Sequence, residues 1–434
     1  MMKRVLVISY YWPPSGGSGV QRWVKMCKHL SSLGWNPVVY TPENPALTAI
    51  DETLAAEIPP QVEVLRRKIL EPGQLKGARK STLSQVNPIN SGKKNLKQKI
   101  ALWIRGNCFI PDPRVLWVRP SVRFLTKYLQ EHPVDAIIST GPPHSMHLVA
   151  RGVSLRTGIP YVADFRDPWT KMFYFKHLGL TKASERKHGR MEREVLRDAA
   201  AVIAVSPLVQ QEFAQMTSTP VALVTNGFDE DDFRGAMTPS KDRFTLAHAG
   251  LLAADGDPLC VWDALRQLCD EESGFAGNLH LRLAGKTDAA VLQSIRDRGL
   301  GDKLENLGYV DHKKAVGVMR EASVLLLPLR REPEYRCVLP GKTFEYMASG
   351  RPVVGIGQTD GAMAALIGNT HAGVCFEWED TAGVKEHILQ LYRKWQEDAL
   401  KANTADLSAY SRRGTAAQVA ALLDSLCAED PQKK

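Results

Sequence analysis

Leu339-Pro340-Gly341-Lys342-Thr343-Phe344-Glu345-Tyr346-Met347-Ala348-Ser349-Gly350-Arg351-Pro352-Val353-Val354 decides the fold. Proline and glycine open it, a helix-forming run follows, and Gly350 and Pro352 stop that run before a β-branched stretch at Val353–Ile356. A second apolar run, residues 324–329, lies upstream. Strand, helix and strand in that order make a βαβ unit with parallel strands.

Working outward, the alternation continues to both ends. The first half offers strands near residues 4–9, 37–41, 62–65, 136–140, 161–165, 201–206 and 221–225. The second half adds 245–250, 280–284, 306–310 and 373–376. Several are near-continuous apolar runs, as expected of parallel strands covered on both faces. Residues 19–33 place Val20, Trp23, Val24, Cys27 and Leu30 on one helical face, with Gly34 as the stop. The expected class is α/β, with two doubly wound Rossmann-like domains.

Asn226-Gly227, followed by Asp229-Glu230-Asp231-Asp232, reads as a turn and a solvated linker. Domains are therefore expected at about 1–235 and 241–404. A final helix is expected within about 405–434, through Val419, Leu422, Leu423 and Leu426.

The chain has 434 residues, 44% of them hydrophobic, which excludes disorder, collagen and coiled coil for the whole. Seven cysteines form no C-x-x-C pair, which argues for reduced thiols in a cytosolic protein. No apolar run approaches the roughly 18 residues of a membrane span. Val5-Leu6-Val7-Ile8 runs into Pro13-Pro14 and reads as a buried strand, not a leader. Net charge is +9, unevenly placed: residues 1–240 hold 32 Lys and Arg against 20 Asp and Glu. An insertion at about 66–105 carries eleven of those cations and one acid, Glu71. From Leu96 it turns amphipathic, with Ile100, Trp103 and Ile104 beside Lys97, Lys99 and Arg105. A basic, Trp-bearing element suits an anionic membrane surface, and a plain surface insertion is the competing reading.

Three loops at strand ends could carry chemistry in the first half. Pro13-Pro14-Ser15-Gly16-Gly17-Ser18-Gly19 opens a helix, and its glycines let backbone amides approach an anion. Thr140-Gly141-Pro142-Pro143-His144 brings a histidine that could meet hydroxyls, with His147 a turn later. Asp164-Phe165-Arg166-Asp167-Pro168-Trp169 sets two carboxylates around one guanidinium, suggesting an arginine held rigidly toward a substrate. In the second half, Gly341, Lys342 and Thr343 would face an anion at a helix start. Glu345 could accept from vicinal sugar hydroxyls, and Lys286 and Arg330 are phosphate-directed candidates. No Asp-x-Asp pair stands where a catalytic metal would be expected.

These motifs together resemble the two-domain GT-B glycosyltransferases, in the large retaining glycosyltransferase family 4 group of bacterial cell-envelope enzymes. Gly-Lys-Thr-Phe-Glu-Tyr-Met-Ala-Ser-Gly-Arg-Pro carries most of the likeness. The resemblance implies two domains facing each other across a cleft, with a nucleotide sugar mainly on the second. It implies that Glu345 holds the ribose, that Gly341, Lys342, Thr343 and Lys286 lie near sugar and diphosphate, and that Val310 and His312 flank the base. Gly16 and Gly17 would reach the donor phosphates, and the tail helix would return to the first domain. Two departures stand out. Cys337 replaces the family's other motif glutamate, and Gly250 is followed by Leu251 where an arginine is usual, leaving Arg330 as a substitute. Arg166 stands where many relatives have a histidine, and arginine cannot act as a base. His144, Arg166 and Asp167 are the catalytic candidates.

The expected function is retaining, metal-independent transfer of a sugar from a nucleotide-diphosphate sugar co-substrate to a glycan or lipid-linked glycan precursor. No cofactor, metal or nucleic acid is called for. The expected location is cytoplasmic, peripheral on the inner face of the cytoplasmic membrane. A nucleotide-sugar epimerase, a phosphorylase and a non-catalytic nucleotide- or glycan-binding assembly protein are the alternatives.

Overall fold

The computed structural model describes all residues except 1, 46–49, 52, 72–95, 173–174, 236–240, 401–402, 404 and 429–434. Much of the basic insertion therefore lies outside the described residues. The chain divides into two compact units, Met1–Thr225 with Arg412–Lys434, and Asn226–Ser411.

The first unit is built on strands β1 Lys3–Ile8, β2 Trp35–Pro42, β3 Glu63–Arg67, β4 Ala136–Gly141, β5 Tyr161–Phe165, β6 Ala201–Ala204 and β7 Val221–Leu223. All pair in parallel, in the order β3-β2-β1-β4-β5-β6-β7. Its helices are α1 Ser18–Ser32, α2 Leu96–Cys108, α3 Val115–Glu131, α4 Ser145–Thr157, α5 Lys182–Asp198 and α6 Pro207–Met216. The central strands β4 and β5 are buried at every position. That explains their mainly apolar spelling, since helices cover both faces, and the polar exceptions Ser139, Thr140 and Asp164 are hydrogen-bonded.

The second unit carries β8 Phe244–Ala249, β9 Leu279–Ala284, β10 Leu304–Gly308, β11 Val324–Pro328, β12 Val353–Ile356 and β13 Gly373–Phe376, parallel in the order β10-β9-β8-β11-β12-β13. Its helices are α7 Leu259–Glu271, α8 Phe275–Asn278, α9 Ala289–Asp297, α10 His312–Glu321, α11 Gly341–Ala348, α12 Ala362–Asn369 and α13 Thr381–Gln396. The strand expected at 306–310 sits two residues earlier, so Val310 falls in the loop beyond it.

The last helix, α14 Arg412–Ala428, belongs to the first unit. Ala416, Val419, Ala420 and Leu423 share a buried cluster with Trp23, Val24 and Leu30 of α1. Burying each Val or Leu contributes about 1.5–3 kcal/mol, which holds the tail there.

Both sheets start from a central strand and build outward in two directions. The order reverses between β1 and β4, and between β8 and β11. Loops leaving those strand pairs diverge, and the crevice they leave is where doubly wound sheets bind ligands.

Candidate functional site

At the switch point of the first sheet, the loop after β1 ends at Gly17, the N-cap of α1, with φ of +105° and no side-chain cap. Only glycine takes that backbone cheaply. The α1 amides therefore start without a side-chain acceptor. Gly19, in the first turn, has no room for a Cβ because Nη1 of Arg166 occupies that position. A guanidinium thus rests against the amino end of a helix. Both are positive, so together they favour an anion, with the charges of Asp167 and Asp164 also acting on Arg166.

Arg166 donates from Nη2 to the carbonyl of Pro142, and its Nε is buried without a partner. Of the two carboxylates expected around it, Asp164 turns elsewhere. Asp164 is fully buried and bonds Arg22, Trp23 and Thr140 instead. Thr140 and Asp164 are neighbours in the β4–β5 register, which makes that contact. Asp167 is half-buried, and burial raises its carboxyl while the Arg166 charge opposes that.

His144 is 5% exposed, stacked on Trp169 with centroids 4.9 Å apart, and neither ring nitrogen has a partner. Burial holds its pKa well below the usual imidazole range, with the Arg166 charge adding to that, so the ring is neutral. His147 does not reach a ligand-facing surface. It is fully buried, with Nδ1 2.9 Å from Ser139 Oγ, and its pKa is pushed down to about 3 by burial.

At the switch point of the second sheet, β8 runs into Gly250, whose φ is +156°. A Cβ on Gly250 would lie 3.9 Å from Lys342 Cγ and 3.4 Å from His248 Nε2. A Cβ on Gly285, after β9, would collide with the Gly250 carbonyl. Gly285 is therefore needed for the two strand ends to approach. Helix α11 begins here with Pro340 as N-cap and no side-chain cap. Lys342 Nζ lies 2.7 Å from Glu345 Oε2, and the Thr343 hydroxyl is buried without a partner. Glu345 lies just past the first turn of α11, and the i,i+3 spacing puts it on the same helical face as Lys342. Tyr346 accepts from the Ala249 amide at 2.8 Å and ties α11 to the end of β8.

The two units thus repeat one device: a switch-point glycine, a helix start without a side-chain cap, and a cation beside it. A family model described as Glycosyltransferase Family 4 matches residues 90–232, and one described as Glycosyl transferases group 1 matches residues 243–394. The chain belongs to the GT-B glycosyltransferases. Solved structures agree in fold. A glycosyltransferase from Rickettsia africae is 12% identical, with a TM-score of 0.64 and 99% of each chain covered. Anabaena HepE, solved with UDP-glucose, is 15% identical, with a TM-score of 0.57 and 100% of each chain covered. WaaG, a glycosyltransferase of lipopolysaccharide biosynthesis, is 14% identical, with a TM-score of 0.55, over 96% of this chain and 99% of its own. No curated protein matches the sequence.

Other expected donor residues of this glycosyltransferase are placed unevenly. His312 opens α10 and lies close enough to Lys342 and Glu345 to feel their charges. Its Nε2 is 2.8 Å from Asp232, whose hydrogen bond raises its pKa. Lys286 is exposed beside Gly285. Arg330 is ion-paired to Asp255 at 3.0 Å and is therefore less available to a phosphate than expected. Cys337 ends a short 3₁₀ turn, and its thiol bonds the Glu334 carbonyl. Sequence reading missed Tyr309, 91% exposed beside Val310, and His248, whose Nδ1 lies 2.9 Å from the Leu326 carbonyl. A lone aromatic or histidine in a strand–loop spelling gives no such signal.

Proposed function

We propose that this glycosyltransferase moves a sugar from a nucleotide-diphosphate sugar to a hydroxyl of a glycan or lipid-linked glycan precursor, with retention of configuration and no metal. The observation that carries the reading is the repeated pairing of a cation with a helix start lacking a side-chain cap, Arg166 with α1 and Lys342 with α11. Cleavage of the donor puts negative charge on the leaving diphosphate. Fixed amides and cations stabilise that charge without reorganising during reaction. Lys342 and the α11 amides bear on the diphosphate, and Glu345 accepts from ribose hydroxyls; within the first unit Arg166 supplies a fixed positive charge beside α1. Asp167 and the neutral His144 orient hydroxyls. We name no protein nucleophile.

A thermal-shift series with nucleoside diphosphates and their sugars tests the donor half. At one hundred times its dissociation constant, a ligand of the native state adds about 2.7 kcal/mol of stability. At least one nucleoside diphosphate is expected to raise the melting temperature by several degrees. Silence from the whole series would sink the reading. Undiminished turnover in excess EDTA is expected, and its loss would remove the metal-independent part.

A membrane surface is the proposed workplace. No helix among the described residues is long and apolar enough to cross a membrane. Helix α2 instead leaves Leu96 73%, Ile100 51% and Trp103 47% exposed, beside exposed Lys97 and Lys99. Apolar side chains among cations fit an anionic bilayer surface. The double change Ile100→Glu, Trp103→Glu is expected to cut binding to phosphatidylglycerol vesicles at low salt by more than tenfold. Sedimentation with vesicles measures it, and unchanged binding removes this surface from the proposal.

A further inference from the structure

His248 is a buried titratable group that the proposed reaction leaves unused. It is the last residue but one of β8, two before Gly250, and is 5% exposed. The Leu326 carbonyl of β11 lies 2.9 Å from its Nδ1. A carbonyl can only accept, so Nδ1 carries the proton of the neutral ring and Nε2 is a lone pair. Nε2 is buried without a hydrogen-bond partner, while the Leu251 backbone lies near enough to favour a second proton on the ring. The surroundings therefore suit a ring that donates from both nitrogens, and imidazole does so only when protonated. A buried polar atom left without a partner calls for a reason of this kind.

Two causes keep the second proton off in the unliganded chain. Burial is the larger and the Lys342 charge adds to it, so the His248 pKa lies below its usual value. A Cβ on Gly250 would lie 3.4 Å from His248 Nε2 and 3.9 Å from Lys342 Cγ, so histidine and lysine flank the same glycine. Leu283 of β9 stands opposite His248 in the sheet register. Tyr346 of α11 is bonded to the Ala249 amide, and burial raises its phenol and keeps it un-ionised. The cations of this switch point are largely matched already. Lys342 is paired with Glu345 and Arg330 with Asp255, while Lys286 is exposed. A diphosphate at the start of α11 brings more negative charge than Lys286 offsets, and it opposes the Lys342 charge that His248 feels. An opposite charge within about 4–6 Å moves a pKa by about 1–3 in favour of the charged form.

We infer that His248 takes up a proton from solvent when a diphosphate settles at the start of α11, supplying positive charge that the site lacks at rest, and returns it when the diphosphate leaves. The inference rests on the donor reading and names a charge that the donor site gains on binding. His248 Nε2 is buried beside Gly250, so the residue acts through its charge and not by contact with the ligand.

Isothermal titration calorimetry of the full chain with UDP, ADP and GDP, at pH 7.0 in two buffers of different ionisation enthalpy, counts the protons. With a nucleoside diphosphate that binds, the parent is expected to show net uptake, about 0.3 proton or more per ligand beyond that of His248→Gln. His248→Asn keeps a donor for the Leu326 carbonyl and is expected to lose the same uptake. Between pH 6.5 and pH 8.5 the parent's affinity is expected to fall about fourfold or more relative to either variant. The melting shift given by the diphosphate shows that each variant folds. His312 also feels the Lys342 charge, and uptake surviving in both His248 variants would assign the proton there and overturn the inference. Net release of protons by the parent would overturn it whatever the variants do. Silence from all three diphosphates would remove the donor reading and this inference with it, whereas binding without the extra uptake would remove this inference alone.

Discussion

Lys342→Ala and Glu345→Ala are each expected to lower kcat/KM for nucleotide-sugar turnover by about 10²–10³-fold, the size seen when one preorganised group facing developing charge is removed. The two losses should differ in kind. Lys342 faces charge that grows as the diphosphate leaves, so its removal should fall mainly on kcat. Glu345 grips a ribose that does not react, so its removal should fall mainly on KM. Each also releases its partner from the 2.7 Å ion pair. That pair is partly exposed, at 31% and 16% of the two side chains, so its loss should cost no more than about 1 kcal/mol of stability. A large kinetic effect with a small shift in melting therefore distinguishes a site from a structural pair. Release of nucleoside diphosphate, followed in the presence of donor, measures both constants. Turnover within threefold of the parent for both variants would remove α11 from the donor site.

How much of this was readable in the spelling follows from the range of the interactions. The strands were legible because β4 and β5 are buried on both faces, and burial writes itself as a mainly apolar run, broken here only by Ser139, Thr140 and Asp164 with the glycine that ends β4. The start of α11 was legible because proline and glycine act locally. The edge strand β10 was misplaced because none of its positions is buried, which leaves its apolar spelling weak. The sites were legible only as loops. That Arg166 fills the space beside Gly19, or that Trp169 stacks on His144, depends on which strands lie side by side. No local pattern encodes that order. The misassigned partner of Asp164 has the same cause. Arg166 is two residues away along a strand end, where side chains do not face one another freely, whereas Arg22 is 142 residues away and across the switch point.

That distant pair gives the largest stability effect expected in the chain. Arg22 and Asp164 are 2% and 0% exposed, and Arg22 Nη2 lies 3.0 Å from Asp164 Oδ1. Trp23 Nε1 and the Thr140 hydroxyl donate to the same carboxylate at 2.8 and 3.0 Å. Arg22 spends its remaining donors on the carbonyls of Thr225 and Val224, the last residues of the first unit before Asn226. Burial by itself would raise the Asp164 pKa, but the Arg22 charge and these hydrogen bonds hold it below the ordinary carboxylate value. Asp164→Ala leaves a guanidinium buried and unpaired, and should cost about 3–5 kcal/mol. The unit's melting temperature should fall by roughly 10 °C. Replacing both partners with apolar residues, Arg22→Met with Asp164→Leu, should recover much of that, because no charge is then stranded. The sign of the pH dependence follows from the depressed pKa. The stabilisation is fully present above the unfolded-state carboxylate value, about 3.9, and is lost as pH falls through the lower folded-state value. Urea unfolding at pH 7 and at pH 3 should therefore show the parent losing stability on acidification more steeply than Asp164→Ala does. Equal losses in the two proteins would mean that Asp164 is not what couples this unit to acid. A double apolar variant no more stable than Asp164→Ala would mean that the clamp on Val224 and Thr225, not the charge pair, is what the fold requires.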